Sequence, residues 1–168
     1  FKVARYSGGT SWSQAGTFYN NNEHVTALSE ISGTLYALGN SIIVAGGYIW
    51  PVARWTGSAF VAFRASGITG TPGHAISFQG KFVVCHSSFP NFMRALNPAN
   101  TTPTTPDGTF EPYPVNLGMQ NGGAPHMIIF NGQLVTDGGT KNPGGIVGVA
   151  GYSGSGTWEP LGNLDGAG

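Results

Sequence analysis

An aromatic residue returns along this chain at a nearly constant interval. Trp12, Phe60, Phe110 and Trp158 lie 48, 50 and 48 positions apart. A fixed period of roughly 40 to 50 residues is typical of proteins built from repeated supersecondary units, because each unit needs its neighbours to bury its apolar face. We therefore predict that these four aromatics pack between successive units. The repeat constrains the fold more than any single motif does.

Each later unit also contains an apolar hairpin centred on a turn glycine. The strings are SEISGTLYAL around Gly33, AISFQGKFVV around Gly80 and MIIFNGQLVT around Gly132. A Ser-Gly, Gln-Gly or Asn-Gly pair between two such segments predicts a tight turn with positive φ. Helical periodicity with capping residues is absent from the sequence. Four short strands per unit at this period are typical of β-propeller blades.

The predicted fold is all-β and propeller-like, with about three four-stranded blades plus half of another. Residues 1–17 would supply the last two strands of an incomplete blade. Residues 18–64 would form a full blade, residues 65–115 a second with a surface loop inserted at 97–108, and residues 116–168 a third with a C-terminal tail. Three and a half blades cannot close a ring, because propellers normally have four to eight. We therefore expect a fragment of a longer polypeptide, or a piece that another chain completes.

Composition restricts the partners that such a fold could have. Charged residues make up 8% of the chain, and its seven basic and seven acidic residues cancel. No long-range field would therefore attract nucleic acid or an anionic membrane. Membrane insertion is not expected either, because no segment has the roughly 18 uninterrupted apolar residues of a spanning helix. A neutral surface rich in hydroxyl and amide groups favours an extracellular or virion-surface location.

Part of the sequence resembles the kelch-like repeats of secreted and cell-surface proteins. Those repeats combine a double glycine with an Ala-Arg-Trp-x-Gly segment, and the matching strings are AGG at 45–47, VARW at 52–55 and VARY at 3–6. The pattern departs in the third unit, where Leu96 replaces the aromatic and the arginine moves to Arg94. The resemblance implies a β-propeller used for binding, adhesion or assembly. Relatives with similar blades include two kinds of enzyme, galactose oxidases and sialidases.

Two histidines and two arginines occupy equivalent positions in different units. His74 and His126 each precede their turn glycine by six residues, so on neighbouring innermost strands both would lie near a central channel. Imidazole is a ligand for several divalent metals, which makes this pair the metal candidate. Alternatively, each histidine binds a strand-end backbone group or lines a wet channel. Arg5 and Arg54 are predicted to be structural, anchoring adjacent strands. We assign no catalytic residue and expect no cofactor.

Aromatic residues outside the repeat are the candidates for ligand contacts. Tyr19, Tyr48, Trp50, Phe89 and Phe92 fall in predicted loops beside asparagine or proline. Aromatic side chains with asparagine in loops are typical of carbohydrate and protein contact surfaces. The alternative is that these rings anchor the loops on the propeller itself.

The sequence thus predicts a non-catalytic propeller segment that presents loops for adhesion, receptor or glycan binding, or assembly. The expected partner is a protein or glycan surface ligand, together with further blades from the same or another chain. One alternative is part of a sialidase- or galactose-oxidase-like enzyme whose site residues lie elsewhere. Another is a structural subunit completed by neighbouring chains.

Overall fold

The structure of the chain is a computed structural model, and it describes residues 3–6, 8–15, 24–44, 48–68, 71–86, 93–113, 126–136, 148–155 and 158–163. Every regular element in these ranges is a β-strand, which confirms the all-β prediction. The strands are β1 (Ala4–Tyr6), β2 (Trp12–Gln14), β3 (His24–Ile31), β4 (Thr34–Val44), β5 (Tyr48–Trp55), β6 (Phe60–Ala62), β7 (Ala65–Ser66), β8 (Pro72–Phe78), β9 (Lys81–His86), β10 (Met93–Asn97), β11 (Gly108–Pro112), β12 (Met127–Phe130), β13 (Gln133–Thr136), β14 (Gly148–Tyr152) and β15 (Glu159–Asn163).

The strands form four small sheets in chain order. Sheet I pairs β1 with β2, sheet II has the order β3-β4-β5-β6, and sheet IV has the order β12-β13-β14-β15. Sheet III has the order β7-β11-β10-β9-β8, so four sequential strands form a meander and β7 adds a fifth at the outer edge. All pairings are antiparallel except that of β7 with β11. Residues just after sheet II therefore pair with the far edge of sheet III, which the repeat pattern does not predict.

The three predicted hairpin turns have the expected backbone. Both central residues of each turn have positive φ, in agreement with the need for a tight connection that matches the strand twist. The angles are 51° and 78° at Ser32 and Gly33, 50° and 73° at Gln79 and Gly80, and 50° and 75° at Asn131 and Gly132.

Sheets II, III and IV pack face to face in that order, and residues flanking the strands of sheet I pack against sheet II. Val3 packs with Phe60 between sheets I and II, Tyr36 with Phe82 between II and III, and Phe78 among the residues between III and IV. Because successive strand residues point to opposite faces, each inner sheet contributes to two interfaces. The result is three apolar clusters, one at each junction between neighbouring sheets.

The first strands of the three larger sheets lie side by side. β3 contacts β8, and β8 contacts β12. Thr26, on β3, donates a hydrogen bond from its hydroxyl to the carbonyl oxygen of Pro72 at the start of β8. The backbone N–H of Met127, on β12, donates to Nδ1 of His74 on β8 over 3.2 Å. Both junctions between neighbouring sheets are thus hydrogen-bonded along their first strands.

The inserted loop at 97–108 lies largely on the surface, but a hydrogen bond and an ion pair also connect it to residues of sheet II and the segment that follows it. Thr102 and Thr105 form an isolated bridge within it, and Thr105 is buried. The Asp107 carboxylate accepts the backbone N–H of Arg64 over 2.7 Å and lies 4.0 Å from the guanidinium of Arg54. This loop therefore closes over the junction of sheets II and III.

Candidate functional site

The described strand ends define two ends of the molecule. His24 pairs with Asn40, and Pro72 pairs with His86, so each first strand begins where its second strand finishes. β3 and β8 therefore begin, and β4 and β9 end, at one end of the sheets, which we name the loop end. In the chain, these strand ends adjoin the segments 16–23, 45–47 and 87–92. The opposite end carries the two-residue hairpin turns, and we name it the turn end.

All five aromatic ligand candidates lie close in the sequence to strand ends at the loop end. Tyr19, Phe89 and Phe92 lie outside the described residues, and their flanking strand ends lie at the loop end. Tyr48 begins β5, with its backbone alone described. Trp50 is half-buried on the same strand, opposite Ile42 in register. The loop prediction is therefore wrong for Tyr48 and Trp50, because both lie in a strand that pairs with β4.

The structure brings the histidine candidates together at the junction of sheets III and IV. His74 is half-buried on β8, and its Nδ1 accepts the Met127 N–H. Burial lowers the pKa of His74, and the charge of nearby His126 lowers it further. His74 is therefore a neutral acceptor that ties two first strands together, which is the backbone-binding alternative. Among the described residues, no group of three His, Cys, Asp or Glu side chains could hold a metal ion.

A groove at the turn end lies between sheets II and III. Its volume is about 330 Å³, and its lining includes Tyr36, Lys81, Phe82 and Leu96. Burial raises the pKa of Tyr36, so its hydroxyl stays neutral; Arg54 opposes this effect and Asp107 reinforces it. The sequence analysis missed this groove. The available signal was Leu96, which stands where the other units have an aromatic.

The repeated aromatics differ in burial according to the neighbours of their sheet. Phe60, Phe110 and Trp158 are buried, each against the preceding sheet. Trp12 departs from the predicted packing role, since 68% of it is exposed. It lies on the outward face of sheet I, and the described part of the chain places no sheet against that face.

The two repeat-equivalent arginines also differ. Arg54 is partly exposed on β5 and lies beside Asp107 of the inserted loop, so its ion pair connects sheet II to that loop rather than to a neighbouring strand. Arg5 is exposed on β1, where its backbone pairs with Ser13.

Comparisons with known proteins assign no family. No model of a protein family matches the chain. None of the curated proteins matches it significantly. Within the ranges that the structure describes, there is no helix with the length and apolar character needed to cross a membrane.

Proposed function

We propose that this chain is a β-propeller segment built from kelch-like repeats, with sheets I to IV as successive blades. Three observations support the proposal. Sheets II and IV are four-stranded meanders, and sheet III contains one. Their first strands lie side by side, as innermost blade strands do around an axis. Sheets II, III and IV pack face to face in that order.

The function that this arrangement supports best is non-catalytic recognition by the loop end. The observation that carries the proposal is that the described strand ends next to Tyr19, Phe89 and Phe92 in the chain lie at the loop end, where β5, with Tyr48 and Trp50, also begins. A rigid sheet scaffold with variable connections at one edge is the common arrangement of binding surfaces. Equal numbers of basic and acidic residues favour recognition by ring stacking and hydrogen bonds over electrostatic steering.

The proposed partner is a glycan or a protein displayed on a cell or particle surface, and the proposed location is extracellular or on a virion. Stacking of sugar rings on aromatic side chains, with amide hydrogen bonds from asparagine, fits the residue types of these segments. The asparagines at 20–22 directly follow Tyr19, and Asn91 directly precedes Phe92.

A glycan array probed with the labelled chain tests this function, followed by titration of each bound oligosaccharide with immobilised protein. We expect Tyr19→Ala and Trp50→Ala to weaken binding about tenfold or more, as the loss of an aromatic anchor does. Leu28→Ala is the control, because it removes an exposed apolar side chain from the middle of β3, and it should bind as the wild type does.

Three results would contradict glycan recognition by the loop end. The first is an array without a bound glycan, and the second is binding that the loop-end variants leave unchanged. The third is turnover of chromogenic glycosides or oxidation of galactose by the purified chain, which would favour the enzyme alternative.

A further inference from the structure

Among the residues that the structure describes, two apolar faces remain exposed at the ends of the stack of sheets. The leading face is the outward side of sheet I, with Tyr6 and Trp12. The trailing face is the outward side of sheet IV, with Ile128, Phe130 and Leu161. Tyr6 is 52% exposed, Ile128 and Phe130 are each 56% exposed, and Leu161 is 45% exposed. Exposed apolar patches of this kind commonly mark interaction surfaces.

The trailing face repeats the face by which each inner sheet contacts the next one. Phe130 stands two residues before its turn glycine, as do Ile31 in sheet II and Phe78 in sheet III. Ile31 is buried among residues of sheets II and III, and Phe78 among residues of sheets III and IV. Phe130 therefore occupies a position that is buried wherever a following sheet is present.

The leading face repeats the face by which each inner sheet contacts the preceding one. Tyr6 pairs with Trp12 in register, and their ring centroids lie 5.1 Å apart. The corresponding pairs are Trp55 with Phe60 at 5.0 Å and Tyr152 with Trp158 at 5.4 Å. Phe60 and Trp158 are buried against the sheet before them. The Tyr6–Trp12 pair has the same arrangement, but among the described residues no preceding sheet packs against it.

We propose that copies of this chain associate head to tail, with the leading face of one copy packed on the trailing face of the next. Each internal junction joins a trailing face to a leading face. In the described chain, one leading face and one trailing face have no partner sheet. A second copy is therefore the occupant to which both faces are already complementary. The inference rests on the proposed function, because it treats the sheets as equivalent blades. It adds the partner that covers the two end faces.

Head-to-tail contacts have a property that the experiment can use. A heterologous interface uses two different patches, so one blocked patch prevents self-association while leaving the other patch available. Trp12→Glu places a charge on the leading face, and Phe130→Glu places one on the trailing face. Both residues are more than half exposed, so neither substitution opens the core. Thr101→Glu, at an exposed position of the inserted loop, is the control for added charge.

Sedimentation velocity across a wide range of concentration measures the result. We expect the wild type and Thr101→Glu to form species larger than the 17.4 kDa monomer, and each end-face variant to stay monomeric alone. An equimolar mixture of Trp12→Glu and Phe130→Glu should form a dimer and nothing larger, because one intact junction remains between them. Circular dichroism and urea unfolding verify that each variant is folded.

Several outcomes would overturn the proposal. If the wild type stays monomeric at every concentration, the association proposal is wrong. Self-association of Trp12→Glu alone would show pairing of two trailing faces instead, and a mixture that stays monomeric would show that the two faces are not complementary. Glycan binding is measured separately on the same monomeric variants, whose loop end is intact, so failure of association and failure of recognition are distinguishable.

Discussion

At the scale of single residues, position in the stack decides what a repeated aromatic does. Phe110 is fully buried, with its ring centroid 5.4 Å from that of Phe82 and 6.4 Å from that of Phe63. Trp12 has the corresponding place on its strand pair, but it is 68% exposed, with its ring tilted by 39° against that of Tyr6. The same spacing in the sequence therefore produces a core residue in one sheet and a surface residue in another.

Replacing these two aromatics by alanine should have very different effects on stability. Phe110→Ala leaves a cavity between sheets II and III, and we expect it to lower the free energy of unfolding by about 3–5 kcal/mol. Trp12→Ala removes an exposed ring and should cost the monomer about 0.5 kcal/mol or less. Urea unfolding at a concentration that keeps the chain monomeric measures both values. Equal losses would show that the two positions have similar environments in solution.

His74 should make stability dependent on pH. Its pKa is below the ordinary value of 6.5 in the folded chain, mainly through burial, so the unfolded chain binds a proton at higher pH than the folded one does. The contribution of His74 to the free energy of unfolding is complete above about pH 6.5. It decreases as the pH falls below that value and levels off below the pKa of His74 in the folded chain. Protonation at Nδ1 would also remove the acceptor for the Met127 N–H.

Urea midpoints over this pH range, for the wild type and His74→Gln, test the assignment. The amide oxygen of glutamine can accept the same N–H and does not titrate, so we expect a smaller loss of stability at acid pH. An unchanged pH dependence in the variant would assign the effect to other groups.

At the scale of elements, one departure from the repeat explains the groove. Between sheets III and IV, Gln79 donates a hydrogen bond from Nε2 to the carbonyl oxygen of Ser153 over 2.9 Å, and the Tyr152 ring lies 6.2 Å from that of Phe78. Between sheets II and III, the equivalent residues are Ser32 and Leu96, which are smaller. The space that these side chains leave is the groove of about 330 Å³.

Filling this groove should stabilise the molecule. Leu96→Tyr restores the ring that other units carry at this position, and we expect a gain of about 0.5–1 kcal/mol in the free energy of unfolding. Thr101→Tyr, which adds the same ring at an exposed position outside the groove, should leave stability within about 0.5 kcal/mol of the wild type. The urea midpoint is the measurement, and a lower midpoint for Leu96→Tyr would show that the groove cannot accept the ring.

At the scale of the whole molecule, sheet III lies between two others, and the burial of β9 reflects this. Phe82 and Val84 pack toward sheet II, whereas Val83 and Cys85 pack toward sheet IV. All four are buried, and the Cys85 thiol donates a hydrogen bond to the carbonyl oxygen of His74 over 3.6 Å. Every residue of β1 and β2 is exposed, in contrast. Stability should therefore decrease from sheet III toward sheet I.

Hydrogen exchange followed by mass spectrometry tests this gradient. We expect peptides from β9 to exchange slowest, through opening near the global free energy of unfolding, and peptides from β1 and β2 to exchange fastest. Iodoacetamide should modify Cys85 only under conditions that unfold sheet III. Equal protection of β1 and β9 would contradict this gradient.

Local features of the fold could be predicted from sequence because they depend on neighbouring residues. The Gln79–Gly80 and Asn131–Gly132 turns follow from the glycine that tolerates positive φ, and each of the three predicted hairpins is a pair of antiparallel strands in the structure. The site was less accessible to prediction. The neutral acceptor role of His74 depends on Met127, 53 positions away in the chain.

The sequence by itself determined the repeat period, the all-β class and the hairpin turns, because each arises from residue spacing and from short-range backbone preferences. Only the tertiary structure decided which faces are covered, that β7 pairs with β11, that Asp107 binds the backbone of Arg64 and that the groove lies beside Leu96. These features depend on contacts between residues far apart in the chain. The same aromatic spacing is compatible with a buried ring or an exposed one until the neighbouring sheet is placed.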